Sequence, residues 1–475
     1  MSRETDLSDT TRVAERTASS DLEDLALDED YALTAAFVDM VIDAADRGDG
    51  PRLAELVAAL HPADVADLMG FISADYREEI VPHIAAGALA EILAELDDNI
   101  REEVLEFVPP ATLAKALEDL DSDDAADVVD DLDDARRASV LAALPPQDRS
   151  AIEASLAYED ETAGRLMQRE VALAPQFWTV GQAIDHMQGA GDALPELFFD
   201  LYVVDPAMRP VGAVAVSQLV RASRETGLTE IMDAVTEIPV DMDQEEVAYI
   251  FDKYHLISAP VVEPGGRLVG QITVDDVVGV IQEEGEEDML ALANVSDAGR
   301  DASVAGIVRS RLPWLLANLV TETVAVSAIA IFQDEVAKVV ALAVLMPIIS
   351  SLGGNAGTQT LAVAVRALAS RELNAANTLR IVWRELAAGI FNGLGLALAM
   401  ALAVLAFYHN GRLALTAGLA LIADIFVAAV GGILAPLILE RLGRDPAVSS
   451  SIIVTFLTDL MGFFAVLAIA ALILL

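Results

Sequence analysis

One carboxylate, Asp459, lies inside the last apolar stretch of this chain, Ile452–Leu474. An ionisable group at bilayer depth is costly and marks a functional site. In the second apolar stretch Pro347, Ser351, Asn355 and Gln359 recur every four residues, which places proline, hydroxyl and amide groups on one helix face. That face does not prefer lipid. Around it the run from Gly353 and Gly354 to Thr358 is rich in small residues, and in the last stretch Thr455, Asp459 and Gly462 likewise share a face. Asp459, Asn355, Thr455, Gly354 and Gln359 are the candidate ion-pathway residues. Asp424 and Glu322 are further acids within apolar stretches, outside any polar run as dense. The alternative for these two and for Asn355 is packing, in which small and polar residues hold helices together. Asp459 fits that alternative less well, because no Lys or Arg occurs in any apolar stretch to neutralise it.

Carboxylate, amide and carbonyl oxygens are hard ligands, suited to Mg²⁺, Ca²⁺ or Mn²⁺ rather than to metals that seek Cys or Met. Mg²⁺ sheds its waters reluctantly, so a single carboxylate touching a largely hydrated ion is a sensible filter. Two copies of the chain meeting on this face would bring two Asp459 side chains to one ion.

Five apolar stretches position these groups: Pro313–Phe332, Val339–Leu361, Leu386–Phe407, Leu413–Leu437 and Ile452–Leu474, each near the roughly 20 residues a bilayer core requires. Arg309 and Arg311 precede the first, Arg366, Arg371, Arg380 and Arg384 follow the second, and Arg441 and Arg444 follow the fourth, against only Lys338 and Arg412 in the opposite loops. The positive-inside rule then puts the N-terminus in the cytoplasm and the C-terminus outside.

The net charge of −47 is all in the soluble part, since residues 301–475 hold 10 acids and 10 bases while residues 1–300 hold 66 acids and 19 bases. So anionic a module repels nucleic acid and anionic lipid surfaces and suits cations. Lysine occurs only at positions 115, 253 and 338, and adaptation to high salt accounts for part of the acidity. There is no cysteine, hence no disulfide, thiolate nucleophile or Cys-type zinc site. Residues 1–30 are acidic and polar without the apolar core of a signal peptide and are expected to be a disordered tail.

Residues 61–156 repeat every 12 positions. From His61, Ser73, Ala85, Asp97, Pro109, Asp121, Asp133 and Pro145, an apolar residue stands seven positions on in every copy (Leu68, Ile80, Ile92, Val104, Ala116, Val128, Val140, Ile152) and again eleven positions on. Asp, Ser and Pro suit helix starts. The pattern predicts a superhelical stack of helix pairs that cannot bury their faces alone.

Residues 165–282 carry one strand–turn–strand pattern twice, Tyr202–Asp205 with Pro210–Val214 and Ala259–Val262 with Arg267–Thr273. They resemble a tandem pair of CBS modules. In the second copy Gly270, Thr273 and Asp276 have the spacing at which such modules hold adenosine ribose and phosphate, which makes ATP a candidate ligand. In the first copy Ala215 and Gln218 stand in the matching places. A run of acids follows, Glu283, Glu284, Glu286, Glu287 and Asp288, with Glu284 one helical turn from Glu287 and Asp288.

Pro347-Ile348-Ile349 leading into Gly354-Asn355-Ala356-Gly357-Thr358-Gln359, then Asp445-Pro446-Ala447-Val448-Ser449-Ser450 and Thr458-Asp459-Leu460-Met461-Gly462, resembles the membrane domain of MgtE-type magnesium transporters. The resemblance extends through Tyr158–Met167 to nearly everything after residue 30. It implies a homodimeric multi-pass inner-membrane protein with its pore between subunits, carrying Mg²⁺ and, as further candidates, Co²⁺ or Mn²⁺. The architecture implied is an α-helical superhelical N domain (31–164), an α/β tandem CBS pair (165–282), a connecting helix (283–309) and a five-helix transmembrane domain (310–475). By motif position the acids that sense cytosolic Mg²⁺ and close the pore fall on Asp123, Asp127, Glu245, Asp276, Glu284, Glu287 and Asp445. The sequence departs from the family at His255 and Gly279, where acids are usual, at Ile452, where proline is usual, and at Phe456, where threonine is usual. A membrane-tethered adenine-nucleotide sensor is the competing reading, opposed by the buried polar groups that an anchor has no use for. No Walker loop, nucleophile elbow or metalloprotease motif supports an enzyme.

Overall fold

The computed structural model describes residues 22, 25–191, 194–195, 197–295, 304–369, 371 and 377–474. They form two compact units, Met1–Ile281 and Gln282–Leu475. Most of the expected tail lies outside the described residues. Ala26, within it, is fully buried with Phe37 and Val41, because it continues the apolar face of the first helices.

Unit one opens with α1 (Ala35–Asp46) and α2 (Gly50–Ala58), followed by the repeat: α3 (Pro62–Phe71), α4 (Ala74–Ile80), α5 (Ala86–Glu95), α6 (Asp98–Phe107), α7 (Pro110–Leu117), α8 (Ser122–Asp130), α9 (Asp134–Ala143) and α10 (Pro146–Ser155). All eight repeat starts, from His61 to Pro145, are the N-caps of α3 to α10. Each repeat thus spends about two helical turns and then an extended cap residue that reverses the chain. The apolar residue seven positions on is at most 2% exposed in every copy. Full burial of each such Ile, Val or Leu contributes about 1.5–3 kcal/mol, which makes this column the spine of the stack. Alternate helices touch, α3 on α5, α5 on α7 and α7 on α9, with α4 on α6 and α8 on α10. Buried Arg101 cross-ties the stack to Asp131 at 2.5 Å and Asp98 at 2.8 Å.

Two three-stranded sheets follow. The first is built from β1 (Leu173–Pro175), α12 (Val180–Ala190), β2 (Asp200–Val204), β3 (Pro210–Ala215) and α13 (Val216–Arg221), while the preceding short helix α11 (Ala163–Leu166) packs on the second module, with Ala163 in a core with Ile238 and Val247. After α14 (Leu228–Ile231) the second has β4 (Ile238–Pro239), α15 (Gln244–Tyr254), β5 (Ser258–Val262), β6 (Leu268–Thr273) and α16 (Val274–Leu292). In both, a parallel pair is followed by an antiparallel pair whose register shifts at the same place, between Val203 and Val204 and between Val261 and Val262. The sheets are joined by a 2.7 Å hydrogen bond between the Tyr202 and Ser258 hydroxyls.

Unit two holds α17 (Val304–Ile331), α18 (Gln333–Lys338), α19 (Ala341–Ala369), α20 (Thr378–Tyr408), α21 (Gly411–Arg441) and α22 (Ser450–Ile473). Five of these are long and apolar enough to cross a membrane. The helices outrun the apolar stretches, for instance from Val304 rather than Pro313, since hydropathy sees the hydrocarbon core while helical hydrogen bonding continues into the headgroups. Helix α19 runs unbroken through Pro347. Helix α21 is the hub, packed on α19, α20 and α22, while α17 packs on α22.

Candidate functional site

The face of α19 divides its polar residues in two. Gly353 and Gly357 are buried where α19 meets its neighbours, and a Cβ at Gly357 would stand 2.5 Å from Val454 of α22. These two serve the close approach of helices. Pro347, Ser351, Asn355, Thr358 and Gln359 are exposed on the single chain. A hydroxyl and amide row left uncovered in hydrocarbon would cost several kcal/mol per group, so water, an ion or a second chain must satisfy it. Gln359 also lines a 210 Å³ cavity with Thr360, Glu385 and Asn392. Gly354 and Thr455 flank Thr458, whose hydroxyl donates to the Val454 and Thr455 carbonyls at 3.1 and 3.0 Å.

Asp459 is half-buried on α22 and accepts a hydrogen bond from the Ser350 hydroxyl of α19. Glu322 of α17 reaches Asp459 side chain to side chain, and Asp424 of α21 is close enough to feel the charge of Asp459. The sequence set Glu322 and Asp424 apart because neither lies in a polar run. Tertiary packing brings both beside Asp459. Among the described residues no three His, Asp or Glu side chains stand in metal-binding geometry.

Below the bundle, the end of α16 packs Ala291 and Leu292 against Leu361, Val365, Ala435, Ala447 and Val454, and the Asn294 amide donates to the Ser451 hydroxyl at 2.5 Å. Asp288 here has its carboxyl raised above the usual range by burial and by the charges of Asp445 and Glu284. Asp288 was legible only as one of five acids in a run. Asp445 is exposed and accepts from the Ala447 amide at 2.7 Å, and Glu287 is exposed on the same turn of α16 as Glu284.

In unit one the acids at the start of α8 meet the start of α16. Asp123 is 7% exposed with Oδ1 unpaired, and burial followed by the Asp276 charge holds its carboxyl well above the usual range. Burial and Asp276 push Asp124 up to about 7, and burial raises Asp276 to about 6 against the opposing hydrogen bond from Thr273. Asp127 points to Arg165, 3.0 Å away, and the same guanidinium reaches Asp130 at 3.2 Å and Asp160 at 3.5 Å. Asp124 belongs to this cluster, and sequence reasoning did not single it out although the Ser122–Asp127 run contains it.

Glu245 is exposed in the first turn of α15. His255 ends that helix in the left-handed region at φ 54°, its N–H donating to Phe251, so the departure from an acid falls at a cap. Gly279 faces open space. Gly270 is held against the Gln168 carbonyl, and the Thr273 hydroxyl donates to Asp276 at 2.7 Å. Two of the three candidate nucleotide contacts are thus bound to each other.

Three family models match the chain in order: the MgtE intracellular N domain at residues 60–161, a CBS domain at 228–283, and MgtE, a divalent cation transporter, at 346–469. Magnesium transporter MgtE of Thermus thermophilus is 34% identical over 336 residues, 70% of this chain and 74% of that protein. The protein of the same name from Bacillus subtilis is 30% identical over 325 residues, 68% of this chain and 72% of the relative. A solved structure of the cytosolic domain of the Mg²⁺ channel MgtE in complex with ATP is 32% identical, with a TM-score of 0.48 over 51% of this chain and 99% of that one. With identity of this level spread over about three quarters of a relative's length, the chain belongs to the MgtE family of magnesium transporters.

Proposed function

We propose that this protein is a channel-like transporter that imports Mg²⁺ down its electrochemical gradient and is closed by cytosolic Mg²⁺. The observation that carries this reading is Asp459, a carboxylate on a membrane helix with two further carboxylates around it and no Lys or Arg in any apolar stretch. A passing cation is the natural counter-charge. The polar row through Ser351 and Asn355, exposed on one chain, supports a homodimer with the pore between subunits. The excess of arginine at one side of the helices supports a cytoplasmic N-terminus in the cell membrane.

Closure rests on charge. The charges of Asp445 and Glu284 act on Asp288 in unit two, as those of Asp276 and Asp124 act on Asp123 in unit one. Divalent cations bridging these acids, with Asp127, Glu245 and Glu287, hold the parts together. Without the cations, repulsion opens them. Moving such an equilibrium from 1:99 to 99:1 needs about 5.5 kcal/mol of differential binding, which several weak sites supply more readily than one. ATP at Gly270, Thr273 and Asp276 would require the Thr273–Asp276 hydrogen bond to give way, and equilibrium dialysis with labelled ATP checks it.

The decisive measurement is divalent flux into liposomes containing the purified protein, with Mg²⁺, Mn²⁺, Co²⁺ and Ca²⁺ offered separately and Mg²⁺ titrated on the cytoplasmic side. Selective Mg²⁺ entry that shuts as cytoplasmic Mg²⁺ rises is expected. Absence of divalent flux from well-folded protein would leave the tethered-sensor reading in its place.

A further inference from the structure

Asp424 lies midway along α21, is 0% exposed, and among the described residues has no hydrogen-bond partner for Oδ1 or Oδ2. Its oxygens are aimed between α19 and α22. A Cβ at Gly353 would stand 1.9 Å from Oδ2, and one at Gly462 would stand 3.3 Å from Oδ1. The niche exists because both facing residues are glycine. The same Gly462 position is 3.3 Å from the Cβ of Ser350, whose hydroxyl is donated to Asp459. Ser350 therefore stands between the two carboxylates.

A packing role accounts poorly for this arrangement. Leu or Ala at position 424 would fill the helix junction without the cost of taking a carboxylate out of water. Buried polar groups in native proteins are nearly always satisfied, and one with both oxygens unpaired calls for a partner. The charge that acts on it, that of Asp459 on α22, is of the same sign, and Asp459 in turn has Glu322 of α17 beside it. Two carboxylates and a hydroxyl are the donor set of a hard cation.

We infer that Asp424 is a second cation ligand of each subunit. A divalent cation at Asp459 draws the Asp424 carboxylate toward it past Ser350, so the ion is held by two acids of one chain as well as by the partner's copy of Asp459. The inference rests on the reading of Asp459 as the pore carboxylate. It adds a consequence for selectivity: Ca²⁺ accepts many direct oxygen ligands in flexible geometry, whereas Mg²⁺ keeps most of its waters. Removing the Asp424 charge should therefore lower Ca²⁺ entry more than Mg²⁺ entry.

The test compares the full-length protein with Asp424→Asn, which keeps the shape and removes the charge, in liposomes supplied with Mg²⁺ or Ca²⁺. The half-saturating Mg²⁺ concentration should rise by about tenfold or more, and the Ca²⁺ to Mg²⁺ flux ratio should fall. The variant should stay monodisperse in detergent and melt no lower than the parent, since a buried charge has gone. Ser350→Ala should shift both quantities the same way by a smaller factor. An Asp424→Asn protein with parental half-saturation and an unchanged flux ratio overturns the inference and makes Asp424 a packing residue. If that variant does not fold, unchanged behaviour of Ser350→Ala overturns it instead. A parent that conducts no divalent ion sinks the transport reading and this inference together, whereas a conducting parent with an unaltered variant sinks only the inference.

Discussion

Two groups of acids in this protein are built from the same carboxyl chemistry and differ in which charges stand beside them. At the junction of α8 and α16, Asp123, Asp124 and Asp276 crowd together, yet Arg165 and Arg101 stand nearby on Asp127, Asp130, Asp131 and Asp98. On α17, α21 and α22, Glu322 and Asp424 converge on Asp459 with a serine, and no Lys or Arg occurs in the apolar stretches that carry them. At the α8–α16 junction protons and built-in arginines can share the charge, so a cation bound there would adjust an equilibrium between two shapes. In the apolar stretches there is no Lys or Arg. A cation bound there would be part of the site itself, and the two regions should then fail in different ways when an acid is removed.

The largest failure belongs to the membrane. Asp459→Ala should lower divalent uptake about a hundredfold or more, the scale of losing one member of a desolvated charge pair, while size-exclusion behaviour and the fold stay as in the parent. Parental flux from a well-folded variant would falsify the pore assignment.

Next comes the switch. Neutralising Glu284, Glu287 and Asp445 together should raise the cytosolic Mg²⁺ that closes the pore by about tenfold or more, the effect of 1.4 kcal/mol or more of lost differential binding. Flux and protease sensitivity followed across a Mg²⁺ titration at constant ionic strength decide it. Closure at the parental concentration means these acids are only solvated surface.

The cluster at the α8–α16 junction should also answer to protons. With carboxyls raised to about 7 at Asp124 and about 6 at Asp276 by burial, the closed junction retains protons that the open form releases near its ordinary value of 3.8. The closed form is therefore favoured at low pH and loses that advantage as pH rises from about 4 to about 7. In Mg²⁺-free solution, spin labels on α8 and α16 should lie closer at pH 5.5 than at pH 8, and Mg²⁺ at pH 8 should restore the short distance. Asp124→Asn with Asp276→Asn should remove the pH response. A junction equally open at both pH values contradicts the account.

The smallest effect is expected at Asn355, whose amide offers one neutral oxygen where Asp459 offers a charged pair. Asn355→Ala should reduce Mg²⁺ flux about two- to fivefold and narrow its preference over Ca²⁺, the cost of one neutral hydrogen-bonding group. An unchanged flux ratio would confine Asn355 to packing.

Periodicity made much of this architecture readable. The 12-residue repeat located every N-cap from His61 to Pro145 and the buried column from Leu68 to Ile152, because a short helix followed by a reversal has one local solution when an apolar residue recurs at each turn. The five membrane helices were legible from apolar length, and their ends were not, since Arg309 and Arg366 are polar yet still helical. Asp459 was legible as a lone acid in an apolar run.

What the sequence determined by itself was local: helix phase, cap, strand pairing and the depth of a charge, all set by neighbours within a few residues. The company each acid keeps was decided only in three dimensions. Asp288 meets Asp445 across about 157 positions, Asp123 meets Asp276 across about 153, and Asp424 fits against Gly353 and Gly462 from two other helices. No periodicity encodes such distances, because they follow from which helix faces pack together, and electrostatic energy depends on separation in space rather than along the chain.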